Sequence, residues 1–192
     1  KVGSNTQSFS GAVYLDQLDV QGGKLIFSNA TTQIADVTVR AGATLQTAGV
    51  KTNSVTLYGG ASWYTTVASN SYETPVYLMD VFGPGGEVNA ITIGSNGKSW
   101  VTTKYLNMAG AGTWTAGSGA IFELDNVSLD LSKPRVITNM AGITAGAEIA
   151  MYSNWQGGIS NLEGKNLVMV EDPDGVFYDA HYELKNGVLY LH

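Results

Sequence analysis

The chain has 192 residues, of which 14% are charged and 24 are glycine, and it contains no cysteine. An ordinary soluble domain carries about 25% charged residues, so this composition argues against an α/β enzyme built on charged helices. Without cysteine there are no disulfide bonds and no cysteine-ligated metals, and a net charge of −6 disfavours nucleic acid or an anionic membrane as partner. The length suits one domain. Since the chain begins with Lys1 and has no signal-peptide pattern, we expect a processed or excised segment whose anchor lies elsewhere in a parent protein.

A short pattern recurs through the first part of the chain, after a polar entry of residues 1–12 that predicts a strand or a frayed end. The pattern is two alternating apolar residues followed by a glycine and, in the clearest copies, a large apolar residue. Its copies begin about 19 residues apart, the period of a repeat protein. The copies are Leu18, Val20 and Gly23; then Val37, Val39, Gly42 and Leu45; then Val55, Leu57, Gly60 and Trp63. We expect further coils to begin at 91–93 and 106–108 and to be closed by core residues Trp100 and Trp114, as Trp63 closes its own coil.

The repeated pattern predicts an all-β fold in which each copy forms one coil of a parallel β-solenoid. In a strand, Val37 and Val39 point to one face and Thr38 to the other, so the apolar face lines a narrow core. Glycine permits the positive φ that a corner needs. An antiparallel β-sandwich binding module has the same strand composition and remains an alternative at this point, although it requires antiparallel neighbours.

The spacing breaks at about residues 64–90, which are rich in aromatic residues and hold two of the four prolines. We expect either an irregular coil, with one strand passing through 76–81, or an insertion that protrudes from the stack. Insertions in repeat proteins collect on one face, which is often the binding face. The first domain segment is therefore 1–131, the β-helix coils, with this irregular insertion inside it.

The remaining residues, 132–192, predict C-terminal coils and a capping region. Strand-like runs with fewer glycines cover 121–124 and 127–131 at the end of the first segment, and 135–137 and 167–170 within this region. Asn186-Gly187 between two alternating runs is a strong hairpin signal. Because the open end of a solenoid exposes unpaired strand edges and core, a terminal hairpin is suited to cap it.

The chain resembles the passengers of adhesin-type autotransporters. The corners at 42–45 (Gly-Ala-Thr-Leu) and 60–63 (Gly-Ala-Ser-Trp) are similar to their repeats of roughly 19 residues, and the stretches 166–170 and 182–191 are similar to the end of such a passenger. The resemblance spans about 18–131 as repeats and 160–192 as cap, but this chain has few repeats and breaks their spacing twice.

The resemblance implies a right-handed parallel β-helix with a C-terminal hairpin cap, displayed outside the cell at the bacterial outer membrane. It implies a non-catalytic stem or binding segment that serves adhesion, self-association or scaffolding. The partner it implies is a host or bacterial surface glycan or protein, or a second copy of the chain. It supplies no catalytic motif and no cofactor.

Four aromatic residues are the candidate ligand-binding side chains: Tyr64, Tyr72, Tyr77 and Trp155. Rigid aromatic faces beside Asn, Thr and Gln are what a glycan or protein-binding surface uses.

The alternative function is a carbohydrate-active β-helix enzyme, either a polysaccharide lyase or a glycoside hydrolase. Such an enzyme needs clustered carboxylates, often with basic groups beside them. Asp16 and Asp19 flank the first coil, and Asp125 and Asp130 flank a later strand, but aspartates at strand ends are usually turn residues. The only histidines, His181 and His192, have no nucleophile motif beside them. We therefore expect no catalytic residues.

One acidic loop combines Asp172, Asp174 and Asp179 with Gly175. Asp-Pro-Asp-Gly is first of all a β-turn sequence, and the sequence predicts a turn with no metal. Spaced carboxylates around a glycine are also the ingredients of a calcium loop, which is the alternative.

Overall fold

A computed structural model describes residues 1–65, 73–80, 92–94, 105–107, 134–140, 143, 145–152, 159, 160 and 162–192. This part of the chain is all-β, and it holds no helix long and apolar enough to cross a membrane. Its strands are β1 (Thr6–Phe9), β2 (Tyr14–Val20), β3 (Lys24–Phe27), β4 (Gln33–Val39), β5 (Thr44–Thr47), β6 (Ser54–Tyr58), β7 (Ser62–Thr65), β8 (Val76–Met79), β9 (Thr92–Gly94), β10 (Tyr105–Asn107), β11 (Arg135–Thr138), β12 (Ile149–Tyr152), β13 (Val168–Glu171), β14 (Phe177–Ala180), β15 (Tyr182–Lys185) and β16 (Val188–Leu191).

Two sheets share the first ten strands between them, and the ladders that join these ten strands are parallel. The five-stranded sheet has the order β1-β3-β5-β7-β9, and the eight-stranded sheet has the order β14-β13-β11-β10-β8-β6-β4-β2. The strands from β1 to β10 alternate between the two sheets along the chain, which gives a β-solenoid of about four turns. The predicted parallel solenoid is confirmed, and its parallel ladders exclude the antiparallel sandwich.

The core is built from rows of apolar side chains, one from each coil. In the eight-stranded sheet, one register position runs through Leu18, Val37, Val55, Val76, Leu106, Ile137 and Val170. Outside β10, the side chains of this row are at most 9% exposed. A second row in the five-stranded sheet holds Leu25, Leu45 and Trp63, which are also buried. Because each coil covers the apolar residue of the one before, each such side chain contributes about 1.5–3 kcal/mol by leaving water.

Glycine makes the corners that join a strand of one sheet to the next strand of the other. Gly23, Gly42 and Gly60 have φ angles of 66°, 72° and 82°. These angles lie in the left-handed region, which costs other residues about 1–2 kcal/mol. The predicted glycine corners are therefore confirmed in the first coils.

The expectation that a coil begins at 91–93 in the same way as at Val55 is wrong. Strand β9 pairs with β7, so Ile93 lies opposite Trp63 in the five-stranded sheet. The strand that follows β6 in the eight-stranded sheet is β8, where Val76 lies opposite Val55. A strand through the first part of 76–81 is thus confirmed. The spacing of the repeats assigned β9 to the wrong sheet, because the strands of both sheets show the same alternation of apolar and polar residues.

The C-terminal region departs from the parallel pattern. Strand β13 pairs antiparallel with β14, and β12, β16 and β15 form an antiparallel three-stranded sheet. The predicted hairpin is present as β15 and β16, and positive φ angles of 51° at Asn186 and 77° at Gly187 suit a two-residue type I′ turn. The hand of the solenoid and the capping role of this hairpin stay predictions. Residues 121–131, Trp100 and Trp114 lie outside the described residues.

Candidate binding surface

Two of the four predicted ligand-binding aromatics lie within the described residues. Tyr64 is on β7 of the five-stranded sheet, and Tyr77 is on β8 of the eight-stranded sheet. Each is half-buried and is preceded and followed by buried residues, so its ring points away from the core. The two tyrosines therefore lie on the outer faces of different sheets, and the structure does not bring them onto one surface.

Tyr64 lies in an outward row of the five-stranded sheet. The register places Gln46 on one side of it, with Ile26 beyond, and Gly94 on the other side. The row thus sets an aromatic ring beside an amide side chain, and both can take part in hydrogen bonding. Tyrosine offers a ligand an apolar face and a hydroxyl for hydrogen bonding.

Tyr77 lies in the corresponding outward row of the eight-stranded sheet. Thr38 and Thr56 lie along the same row on one side, and the register places Asn107 on the other. The threonine hydroxyls can both donate and accept hydrogen bonds. In strands β3 to β8, the members of these two rows alternate with buried core residues of the same strands.

The other two predicted aromatics, Tyr72 and Trp155, lie outside the described residues. Their part in a binding surface stays a prediction.

The acidic loop forms a turn. The Oδ1 atom of Asp172 accepts the backbone N–H groups of Asp174 and Val176, at 2.9 and 2.8 Å. Gly175 follows with a φ of 81°, and Asp174 and Asp179 are exposed. In the described part of the chain, no three ligating side chains converge on a point that could hold a metal. The geometry thus fits the predicted turn, and the absence of a metal at Asp172, Asp174 and Asp179 stays a prediction.

The carboxylate at the first coil is already engaged. Arg40 donates from Nε and Nη2 to the two carboxylate oxygens of Asp19, at 3.0 and 3.2 Å, and its guanidinium lies 4.4 Å from the centre of the Tyr58 ring. The hydrogen bond from Arg40 holds the pKa of Asp19 below its ordinary value, and the same contact raises the pKa of Arg40. The general acid of a glycoside hydrolase needs a carboxyl group with a raised pKa, and the pKa of Asp19 is shifted the other way.

Arg135 is a residue that the sequence did not single out. It is 3% exposed and lies on the core face of β11, with Val168 opposite it in β13. Its Nε and Nη1 atoms have no hydrogen-bond partner among the described residues. Buried charges are usually paired, so two unpartnered guanidinium nitrogens are an unusual feature of this core. The alternation of residues 135–137 could have predicted that the Arg135 side chain points inward. Because arginine is charged, however, it is ordinarily expected at the surface.

No family model matches this chain, and neither the curated proteins nor the solved structures include a significant match.

Proposed function

We propose that this chain is a non-catalytic stem or binding segment of a bacterial adhesin that is secreted or displayed at the cell surface. The observation that carries the proposal is the stack of parallel coils itself. Each coil contacts chiefly its neighbours, so stacking yields a rigid body with flat, repetitive sides. Such a body suits holding a surface at a distance or presenting several side chains in register.

The outward rows that hold Tyr64 and Tyr77 are the proposed contact surfaces. Their neighbours in register are mostly uncharged residues that form hydrogen bonds, among them Gln46, Thr38 and Thr56. Aromatic rings beside uncharged hydrogen-bonding groups suit a glycan or the polar surface of a protein, and a second copy of the chain could be held in the same way. No cofactor has a part in this role.

A non-catalytic role is supported by the state of Asp19, whose carboxylate is paired with Arg40. The extracellular location is supported by the low charged content, which accords with the resemblance to exported passengers.

The test measures three properties of the full chain: binding to a glycan array, binding to cells, and self-association by sedimentation. Tyr64→Ala and Tyr77→Ala are compared with Tyr190→Ala, which removes a half-buried tyrosine from the three-stranded sheet. If an outward row makes the contact, its own variant should weaken binding about tenfold and the control should not. A chain that binds no glycan, cell or second copy would overturn the binding role. Cleavage of a polysaccharide by the chain would overturn the non-catalytic assignment.

A further inference from the structure

A groove crosses the outside of the first three coils, where strands β2 and β4 begin. It is open to solvent and has a volume of about 550 Å³. Ile34 on β4 is fully buried, so its neighbours Gln33 and Ala35 point away from the core and line the groove. The coils before and after contribute the equivalent residues, so the groove runs along the solenoid and across its strands.

The first of two outward rows in the groove is polar. Gln33 lies opposite Tyr14 of the coil before and Lys51 of the coil after. All three residues are exposed, and the Tyr14 residue is exposed by 66%. The row therefore sets an aromatic ring, an amide and an ammonium group on three neighbouring strands.

The second outward row has a small residue at its centre. Ala35 lies between Asp16 of the coil before and Asn53 of the coil after, and the backbone N–H of Asn53 donates to the Ala35 carbonyl at 2.8 Å. Asp16 and Asn53 are exposed, whereas Ala35 is half-buried. Because Ala35 has only a methyl group, it leaves a hollow between the two longer side chains.

The polar side chains of both rows are available to a ligand. Among the described residues, none of these side chains forms a hydrogen bond or an ion pair with the rest of the chain. The backbone beneath them is already paired, since the N–H groups of Gln33 and Ile34 donate to the carbonyls of Val13 and Lys51, at 2.9 and 3.0 Å. An extended peptide therefore finds no free strand edge in the floor of the groove, and a ligand must be held by side chains.

These side chains offer hydrogen-bond donors, acceptors and one aromatic face. The amides of Gln33 and Asn53 each donate and accept hydrogen bonds. The carboxylate of Asp16 accepts them, and the ammonium of Lys51 donates them. The positive and the negative charge balance, so the groove favours neither an acidic nor a basic polymer. Sugar hydroxyls both donate and accept hydrogen bonds, and the apolar C–H face of a sugar ring suits the ring of Tyr14.

We propose that this groove binds a disaccharide unit of an uncharged glycan, laid along the solenoid. One sugar ring packs against Tyr14, and the hydroxyls of the unit form hydrogen bonds with Gln33 and Asp16. Neighbouring strands are about 4.8 Å apart, so three coils span about 9.6 Å, which is close to the length of two linked sugar rings. The inference rests on the proposed binding role and deepens it, because it names a ligand class and a site that Tyr64 and Tyr77 do not line.

The binding test is an NMR titration of the full, isotope-labelled chain with four disaccharides: cellobiose, maltose, lactose and chitobiose. At least one of them should shift the side-chain amide signals of Gln33 and Asn53 and the methyl signal of Ala35. A site with a Kd of about 1 mM is nearly saturated at about 20 mM sugar, so the titration detects weak binding.

The position of the shifts separates this proposal from the wider binding role. If none of the four sugars moves these signals, the groove proposal is overturned. If the largest shifts fall on Gln46 or Thr56, which neighbour Tyr64 and Tyr77 in the other rows, the groove proposal fails and the binding role stands. If the glycan array, cell binding and self-association are blank as well, both fail.

A matched pair of substitutions assigns the contact. Gln33→Ala removes a hydrogen-bonding amide from the groove and should weaken sugar binding about three- to tenfold. Gln17→Ala removes an exposed amide of β2 that does not line the groove, and it should leave the affinity unchanged. Ala35→Leu fills the hollow and should abolish binding. If Ala35→Leu destabilises the fold, the two glutamines still decide the matter, because equal affinities of Gln33→Ala and Gln17→Ala would contradict the proposal.

Discussion

Gly23 and Gly42 occupy equivalent corners of successive coils, yet we expect alanine to be far more damaging at Gly23. Both glycines have left-handed φ angles, 66° and 72°. A Cβ atom at Gly42 would meet nothing within 4 Å. At Gly23 it would lie 2.6 Å from the backbone carbonyl oxygens of Gly3 and Asn5, which belong to the N-terminal arm, residues 1–9, that covers the first coil. A comparison of Gly23→Ala with Gly42→Ala therefore separates two losses of stability: that from the left-handed φ angle and that from displacing the N-terminal arm.

The expected magnitudes follow from these contacts. Gly42→Ala should lower the free energy of unfolding by about 1–2 kcal/mol, the cost of a left-handed residue. Gly23→Ala incurs the same cost and also moves the arm, whose hydrogen bonds include one from the backbone amino group of Lys1 to the carbonyl of Asp19 and one from the backbone N–H of Gln21 to the carbonyl of Lys1, both at 2.8 Å. Losing two or three such bonds adds about 1–3 kcal/mol. Since each kcal/mol shifts the Tm of a chain this size by about 2–4 °C, the two variants should differ clearly.

The assay combines urea unfolding with amide hydrogen exchange of both variants. The amides of Gln21 and Ser28 donate to the arm, at 2.8 and 2.9 Å, so they should exchange faster in Gly23→Ala and remain protected in Gly42→Ala. Equal losses of stability in the two variants, with both amides still protected in each, would refute the close packing of the arm against Gly23.

Three further changes have defined outcomes. Thr47→Val removes the hydroxyl that accepts the buried Trp63 indole N–H at 3.3 Å, and should lower the free energy of unfolding by about 1–3 kcal/mol in urea titrations. Asp19→Asn removes an ion pair that is more than a third exposed and worth less than about 1 kcal/mol. Because the folded pKa of Asp19 is lowered, this stability is present above the ordinary value of 3.8 and is lost as the pH falls through the folded pKa, so the two stability–pH curves should converge in acid. Curves that stay apart there would contradict this assignment. Arg135→Met should raise the free energy of unfolding by about 1–4 kcal/mol, since it replaces a buried guanidinium whose Nε and Nη1 atoms lack partners among the described residues, and a clear loss of stability would instead reveal a partner.

Much of the fold was accessible from local patterns. The alternation at Val37 and Val39, followed by Gly42, identified a strand and its corner, and the structure has both. Asn186-Gly187 identified a hairpin for the same reason. The candidate site was less accessible. The alternation of apolar and polar residues predicts that Tyr64 points outward, and the structure agrees. The same alternation did not show that Tyr64 and Tyr77 lie on different sheets.

The sequence by itself determined where the chain extends and where it turns, because alternation and glycine act through the backbone of a few neighbouring residues. Only the tertiary structure decided which sheet receives each strand, as Ile93 opposite Trp63 demonstrates. It alone also placed Arg135 in the core and aligned Tyr14, Gln33 and Lys51 along one groove. Strand pairing and side-chain burial depend on partner residues one or more coils away. The number of residues between such partners varies from one corner to the next, so no local sequence pattern encodes the pairing or the burial.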